Sequence, residues 1–178
     1  MKKHKLGMYL GRFQPFHNGH KAIVDKMLEE CEQVLIVVSS SDKKGIFRNP
    51  FPSWERAMMI KEVYPDERVD CFLLPDRATI ANDCAWGDYV INTLQSYGYD
   101  PDAIYQGYES ERCTWYDNWD VAIENISRLE IPVSATLVRA AIVEKRADYI
   151  DEWCPPEVAA RIKKSIFWGR DFHDSIGY

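Results

Sequence analysis

Two of the chain's four histidines, His17 and His20, stand three residues apart in the segment Gly11-Arg12-Phe13-Gln14-Pro15-Phe16-His17-Asn18-Gly19-His20. Residues three apart on a helix share a face. If a helix begins here, both imidazoles point one way, beside backbone N–H groups that already favour an anion. Gly19 lets a ligand approach the backbone closely, and Pro15 restricts the turn before it. Such a pair can donate to phosphate oxygens. It cannot alone hold structural or catalytic zinc, which takes at least three protein ligands, and no third ligand is evident. Taken alone, the pair also reads as surface or core histidines in an ordinary turn.

Other chemistry-bearing types are scattered in order along the chain: Arg48 in Arg48-Asn49-Pro50-Phe51, Arg56 in Glu55-Arg56-Ala57-Met58-Met59, Asp83 and Trp86 in Asn82-Asp83-Cys84-Ala85-Trp86, and Ser134, Thr136 and Arg139 in Val133-Ser134-Ala135-Thr136-Leu137-Val138-Arg139. Read singly, each is ordinary. Arg48 is a solvated loop cation, Arg56 half of a helix-surface ion pair worth little, Trp86 a core residue, and Ser134 with Thr136 an N-cap and its polar neighbour.

The elements that must position these residues follow from patterning. Residues 6–10 read as a short buried strand running into Gly11, and Asn18 to about Cys31 as a helix with Ala22, Ile23, Met27 and Leu28 at helical spacing. Gln33–Ser39 is a continuous apolar, β-branched run, as expected of a central parallel strand covered on both faces. A loop follows to Pro52, and Ser53 is placed to cap a helix through about Tyr64. Strands are expected near Val69–Leu74, Ala103–Gln106 and Val121–Ile126. Helices are expected around Trp86–Leu94, from Ser134 to about Lys145, and from near Pro155; 109–120 has no clear period. This alternation predicts a doubly wound, mostly parallel α/β sheet with helices on both faces, in which ligands sit beyond the carboxyl ends of the strands. The chemistry-bearing residues lie there, just after strands.

Bulk properties narrow the classes. The 178 residues fit a single domain, 1–178, ending in a helix at about 155–167 and an aromatic-rich tail at 168–178. A net charge of −6 argues against a nucleic-acid partner. No apolar run is long enough to span a membrane, and the basic N-terminus lacks the apolar region of a signal peptide. Five dispersed cysteines with no CxxC pair indicate reduced thiols and a cytoplasmic location.

Together the segments carry a resemblance. Gly11–His20 resembles the HxGH motif of the nucleotidylyltransferase superfamily in the form found in archaeal-type nicotinamide mononucleotide (NMN) adenylyltransferases. Arg48–Phe51 with Glu55–Met59 is similar to that family's RNPF and ER.MM elements, Asn82–Trp86 to its ND..W element, and Val133–Arg139 to its ISGTxVR motif. Two departures stand out: Ala135 where the family has glycine, expected to narrow the turn and shift the hydroxyls after it, and Gly107-Tyr108-Glu109-Ser110 where many relatives have GH followed by charged residues.

The resemblance implies a Rossmann-like fold and transfer of the adenylyl group of ATP to NMN, giving NAD and pyrophosphate. It implies catalytic roles for His17, His20 and Arg139. It places ATP against Gly11, Arg12, Phe13, His17, Gly19, His20, Arg48, Ser134, Thr136 and Arg139, and the acceptor against Asp83 and Trp86. Mg²⁺ would be bound through ATP phosphates rather than by protein ligands, and a homo-oligomer is expected. The acceptor phosphate, with a second pKa of about 6, is already anionic and needs no strong general base. Alternatives are a sister transferase acting on nicotinate mononucleotide, phosphopantetheine or a phosphorylated sugar, a cytidylyl transfer from CTP, and a nucleotide-binding sensor that has lost turnover.

Overall fold

The computed structural model describes residues 1–77, 82–107, 115–117, 119–127 and 131–170. Strands β1 (His4–Gly11), β2 (Cys31–Val38) and β3 (Val69–Leu73) alternate with helices α1 (Asn18–Glu30) and α2 (Ser53–Val63). Then come α3 (Asp83–Ser96), β4 (Ala103–Gly107), β5 (Ala122–Ile126), α4 (Ala135–Val143), α5 (Ala147–Trp153) and α6 (Pro156–Lys164). The strands pair in parallel in the order β3-β2-β1-β4-β5. The chain winds outward from β1 to β3, then returns to lay β4 against the other side of β1. The topological switch point therefore lies between β1 and β4, where such sheets hold ligands.

The run Val34–Val38 is apolar throughout because both its faces are covered. Val34, Ile36 and Val38 join the core formed with α1, α2 and α4 to α6, whereas Leu35 and Val37 join the core formed with α3. The same alternation splits Tyr9 from Met8 and Tyr105 from Ile104. Each fully buried aliphatic side chain of this kind contributes roughly 1.5–3 kcal/mol, so the middle of the sheet is its most heavily stabilised part. On α1, Ile23, Val24 and Met27 face inward.

Three local expectations are corrected. Ser53 is the first helical residue of α2 and does not cap it; Pro52 occupies the N-cap and supplies no side-chain bond. The helix from Ser134 stops at Val143, because Lys145 turns to a left-handed backbone with φ of 54°, and a further short helix, α5, follows. It is fastened by Tyr149 stacked on Trp153 at 4.6 Å and by buried Ile150. The last helix is shorter than expected, ending at Lys164.

Candidate active site

His17 is the N-cap of α1, with an extended backbone that lets its ring fold over the first turn. Its Nδ1 accepts from the Gly19 amide at 3.1 Å, and the His20 Nδ1 accepts from the His17 amide at 3.3 Å. This is a capping box built from two histidines instead of Ser and Glu. The rings stack, with centroids 3.7 Å apart. Because each ring spends Nδ1 as an acceptor, the neutral tautomer carries its proton on Nε2, a donor suited to phosphate oxygens. Phe13, with a left-handed φ of 50° and a ring only 1% exposed, supports His20 edge-on at 4.9 Å. Its ring is thus committed to the core, and any nucleotide contact by Phe13 falls to its main chain. The space that Gly19 leaves is taken up by the His17 ring, which a Cβ would approach to 3.0 Å. Gly11 similarly makes room for the Phe13 ring.

Arg139, about one turn into α4, reaches back to this turn. Its Nη1 donates to the Gln14 carbonyl at 2.9 Å and its Nη2 to Thr136 Oγ1 at 3.0 Å, while Nε is buried without a partner. Burial pushes its guanidinium down to about 10, aided by the positive charges of Arg12 and Arg48. Arg12 is lowered as well, by burial and then by Arg48, with Asp76 opposing. Arg48 itself is exposed, at the tip of a hairpin closed by the Ile46–Asn49 bridge, and the Phe47 ring beside it lies 5.5 Å from the Arg139 guanidinium. Among the described residues no ion pair involves Arg12, Arg48 or Arg139. Like charges gathered and partly desolvated, with only the more distant charge of Asp76 to offset Arg12, raise the free energy of the unliganded site; an anion placed among them relieves it.

Ser134 caps α4, accepting from the Leu137 amide at 3.3 Å. Ala135 opens that helix without a left-handed backbone, so alanine does not disturb the cap as anticipated. Both Ser134 and Thr136 are exposed, and the Thr136 hydroxyl orients Arg139.

Trp86 stands apart from this cluster on α3, which is capped by Asn82 accepting from Ala85. It is half-buried against the α3-side core with its ring 5.5 Å from Tyr89. Gly87 lets α3 press on the 115–117 turn, since a Cβ there would overlap the Trp115 carbonyl. The Asp83 side chain, residues 108–114 with the departure after Gly107, and residues 171–178 of the tail lie outside the described residues.

Arg56 contradicts its reading as half of a surface ion pair. It is fully buried and makes no ion pair among the described residues. Its Nη1 donates to the Arg12 and Ser39 carbonyls at 2.6 and 2.8 Å, and its Nη2 to Ser40 at 3.0 Å, fastening the ends of β1 and β2. The sequence held a signal: Arg56 shares the inward face of α2 with Met59 and Ile60. Cys31, Cys71 and Cys154 are not activated thiols: burial pushes all three up, the last two to about 12.

Residues 8–154, which contain every site residue named above, match the cytidylyltransferase-like family. The chain belongs to that family. The chain is 41% identical over 69 residues to a nicotinamide-nucleotide adenylyltransferase of Methanocorpusculum labreanum, covering 39% of this chain and 41% of the relative. It is 36% identical over 87 residues to one of Saccharolobus solfataricus, covering 47% and 50%. These matches span only two fifths to half of the relatives' length. Two solved structures share the fold. A bifunctional NMN adenylyltransferase/ADP ribose pyrophosphatase from Francisella tularensis superposes with a TM-score of 0.69 at 18% identity, over 93% of this chain and 51% of that one. A putative nicotinate-nucleotide adenylyltransferase from Vibrio parahaemolyticus gives 0.64 at 13% identity, over 97% and 98%.

Proposed function

We propose that this cytidylyltransferase-like chain transfers the adenylyl group of Mg²⁺-bound ATP to the phosphate of NMN, forming NAD and pyrophosphate. The observation that carries the reading is the convergence of Arg12, Arg48 and Arg139 on the histidine turn, where none of them makes an ion pair among the described residues. A triphosphate supplies the missing charge. The named activity of the relatives in Methanocorpusculum labreanum and Saccharolobus solfataricus supports ATP and NMN as the substrates. Among the described residues no three His, Cys, Asp or Glu side chains group to hold a metal ion, and the reading has magnesium enter with ATP, as part of the substrate.

An oxygen of the acceptor phosphate forms a bond to the α-phosphorus as the bond from that phosphorus to the bridging oxygen breaks, and pyrophosphate leaves with the electron pair. The acceptor is anionic at neutral pH, so the protein's work is alignment and stabilisation of charge. In this reading His17 and His20 donate from Nε2 to the phosphates. Arg12, Arg48 and Arg139 clamp them, since guanidinium matches phosphate oxygens in pairs, while Ser134 and Thr136 meet the distal phosphates at the start of α4. Trp86 stacks on the nicotinamide and Asp83 accepts from its amide. No helix among the described residues is long and apolar enough to cross a membrane, and the reading carries with it a cytoplasmic, homo-oligomeric enzyme, as the resemblance implies.

Purified protein incubated with ATP, Mg²⁺ and NMN should produce the dinucleotide and release pyrophosphate. Turnover with CTP but not ATP, or with another phosphorylated acceptor but not NMN, would replace this substrate pair. ATP binding with no pyrophosphate released from any acceptor would turn the reading to a sensor. Trp86→Ala should raise the KM for the acceptor more than that for ATP; equal effects would assign Trp86 to the core.

A further inference from the structure

We propose that Gln14 is a positioning residue of the phosphate site, one whose amide sets the Arg48 hairpin against the histidine turn. The side chain is 1% exposed and makes a two-point pair with the main chain of Phe51: Nε2 donates to the Phe51 carbonyl at 2.8 Å, and Oε1 accepts from the Phe51 amide at 3.0 Å. A glutamine amide paired in this way imitates one rung of a β-ladder between two loops that have no strand pairing of their own. The Gln14 main-chain carbonyl meanwhile accepts from Arg139 Nη1 at 2.9 Å. One residue therefore joins the three segments that supply the cations, although they are separated by 37 and 125 positions along the chain.

The consequence runs through the hairpin. Phe51 is fully buried, and its ring meets Phe167 edge-on at 5.2 Å, so the position Gln14 grips is rigid. Pro50 precedes it and accepts from the Gly45 amide at 3.1 Å, closing the hairpin whose tip holds Phe47 and Arg48. The tip reaches the Arg139 guanidinium through Phe47 and influences Arg12 and Arg139 through the charge of Arg48. Because Arg48 is exposed and pairs with no carboxylate among the described residues, little besides the foot of this hairpin fixes where its charge stands. Without the Gln14 pair the hairpin keeps its short bridge and the buried Phe51 but loses the two hydrogen bonds that register it against the histidine turn.

This inference rests on the phosphate-binding reading, so its test uses inorganic tripolyphosphate, which separates it from the nucleotide chemistry. Tripolyphosphate affinity would be measured by calorimetry for the natural chain, Gln14→Met, Arg48→Ala and the double variant. Gln14→Met keeps the volume and loses both bonds. It should weaken binding about tenfold, the scale of one hydrogen bond to a charged group, and by less than twofold when Arg48 is already alanine. Unchanged affinity in Gln14→Met, or the same loss in both backgrounds, overturns the role, because a purely structural defect would act independently of Arg48. Should Gln14→Met fail to fold, Gln14→Asn, which stays neutral and keeps the amide but is one methylene too short to span to Phe51, is read by the same comparison. A natural chain that binds tripolyphosphate but not ATP would end the adenylyl-transfer reading while leaving this one intact; one that binds neither would end both.

Discussion

His17 and His20 lie ring on ring, 3.7 Å between centroids and 24° from parallel, each taking a backbone amide proton at Nδ1. One histidine is therefore both the cap of α1 and the neighbour that orients the other. The two differ in burial: His17 is 1% exposed, and His20 is half-buried.

That difference separates catalysis from folding. His20→Ala removes a 3.3 Å bond from the capping box and takes away the Nε2 donor proposed for the phosphates. Turnover should fall about 10²-fold or more, as for loss of one transition-state donor, with only a small change in thermal midpoint. If pyrophosphate release proceeds at the natural rate in this variant, His20 has no part in the mechanism.

Arg139 depends on its fork. Arg139→Lys keeps the charge but cannot reach Gln14 and Thr136 together. The KM for ATP should rise about tenfold, the scale of a lost charge-assisted bond. Thr136→Val removes one arm's acceptor and should raise it less. In the Arg139→Lys background the Thr136 change should add little, and additive effects would show that Thr136 acts on the nucleotide by itself.

A prediction away from the site concerns pH. On β5, Glu124 accepts from Lys3 at 2.6 Å and His4 at 3.0 Å, tying this edge strand to the start of β1. The Lys3 hydrogen bond, joined by that of His4, holds its carboxyl below the usual range despite some desolvation. A carboxyl depressed by folding adds stability above its unfolded value, about 4.3, and that contribution is lost as pH falls through the lower folded value. Glu124→Gln should therefore melt below the natural chain at pH 7, and the gap should narrow in acid. A gap of constant size across the acid limb would show that the pair contributes nothing through protonation.

The fold was legible because its signals are local. Val34–Val38 is apolar at every position since both faces are covered, and α1 shows its inward stripe at helical spacing. The histidine turn was legible for the same reason, as both rings and the amides they meet lie within four residues. Gln14 was not, and of Arg56 only the inward face was, not its partners. Their partners are main-chain groups of distant segments, and a carbonyl carries no mark in a sequence that it will accept from a given side chain. α5 escaped because it is a single short helix with only Ile150 buried, following an unheralded left-handed turn at Lys145.

Arg56 offers the sharpest test of how the strand ends are held. Its charge is buried with no ion pair among the described residues, and Asp76 and Asp42 offset it only from a distance, a cost that methionine would remove. Against that stand the carbonyls it satisfies. Ser40 keeps a second donor, the Lys43 amide at 3.1 Å, whereas among the described residues the bonds recorded to the Arg12 and Ser39 carbonyls come from Arg56 alone. Two stranded carbonyls at about 1–3 kcal/mol each outweigh the relief, because three short bonds already solvate much of the guanidinium's charge even though its Nε is buried without a partner. Arg56→Met should lose about 3 kcal/mol, or roughly 6–12 °C in thermal midpoint for a chain of this size, and KM for ATP should rise as Arg12 loses its anchor. Arg56→Lys, which retains a donor, should fall between. A methionine variant with the natural midpoint and the natural KM would mean that the ends of β1 and β2 are fixed by something other than this guanidinium.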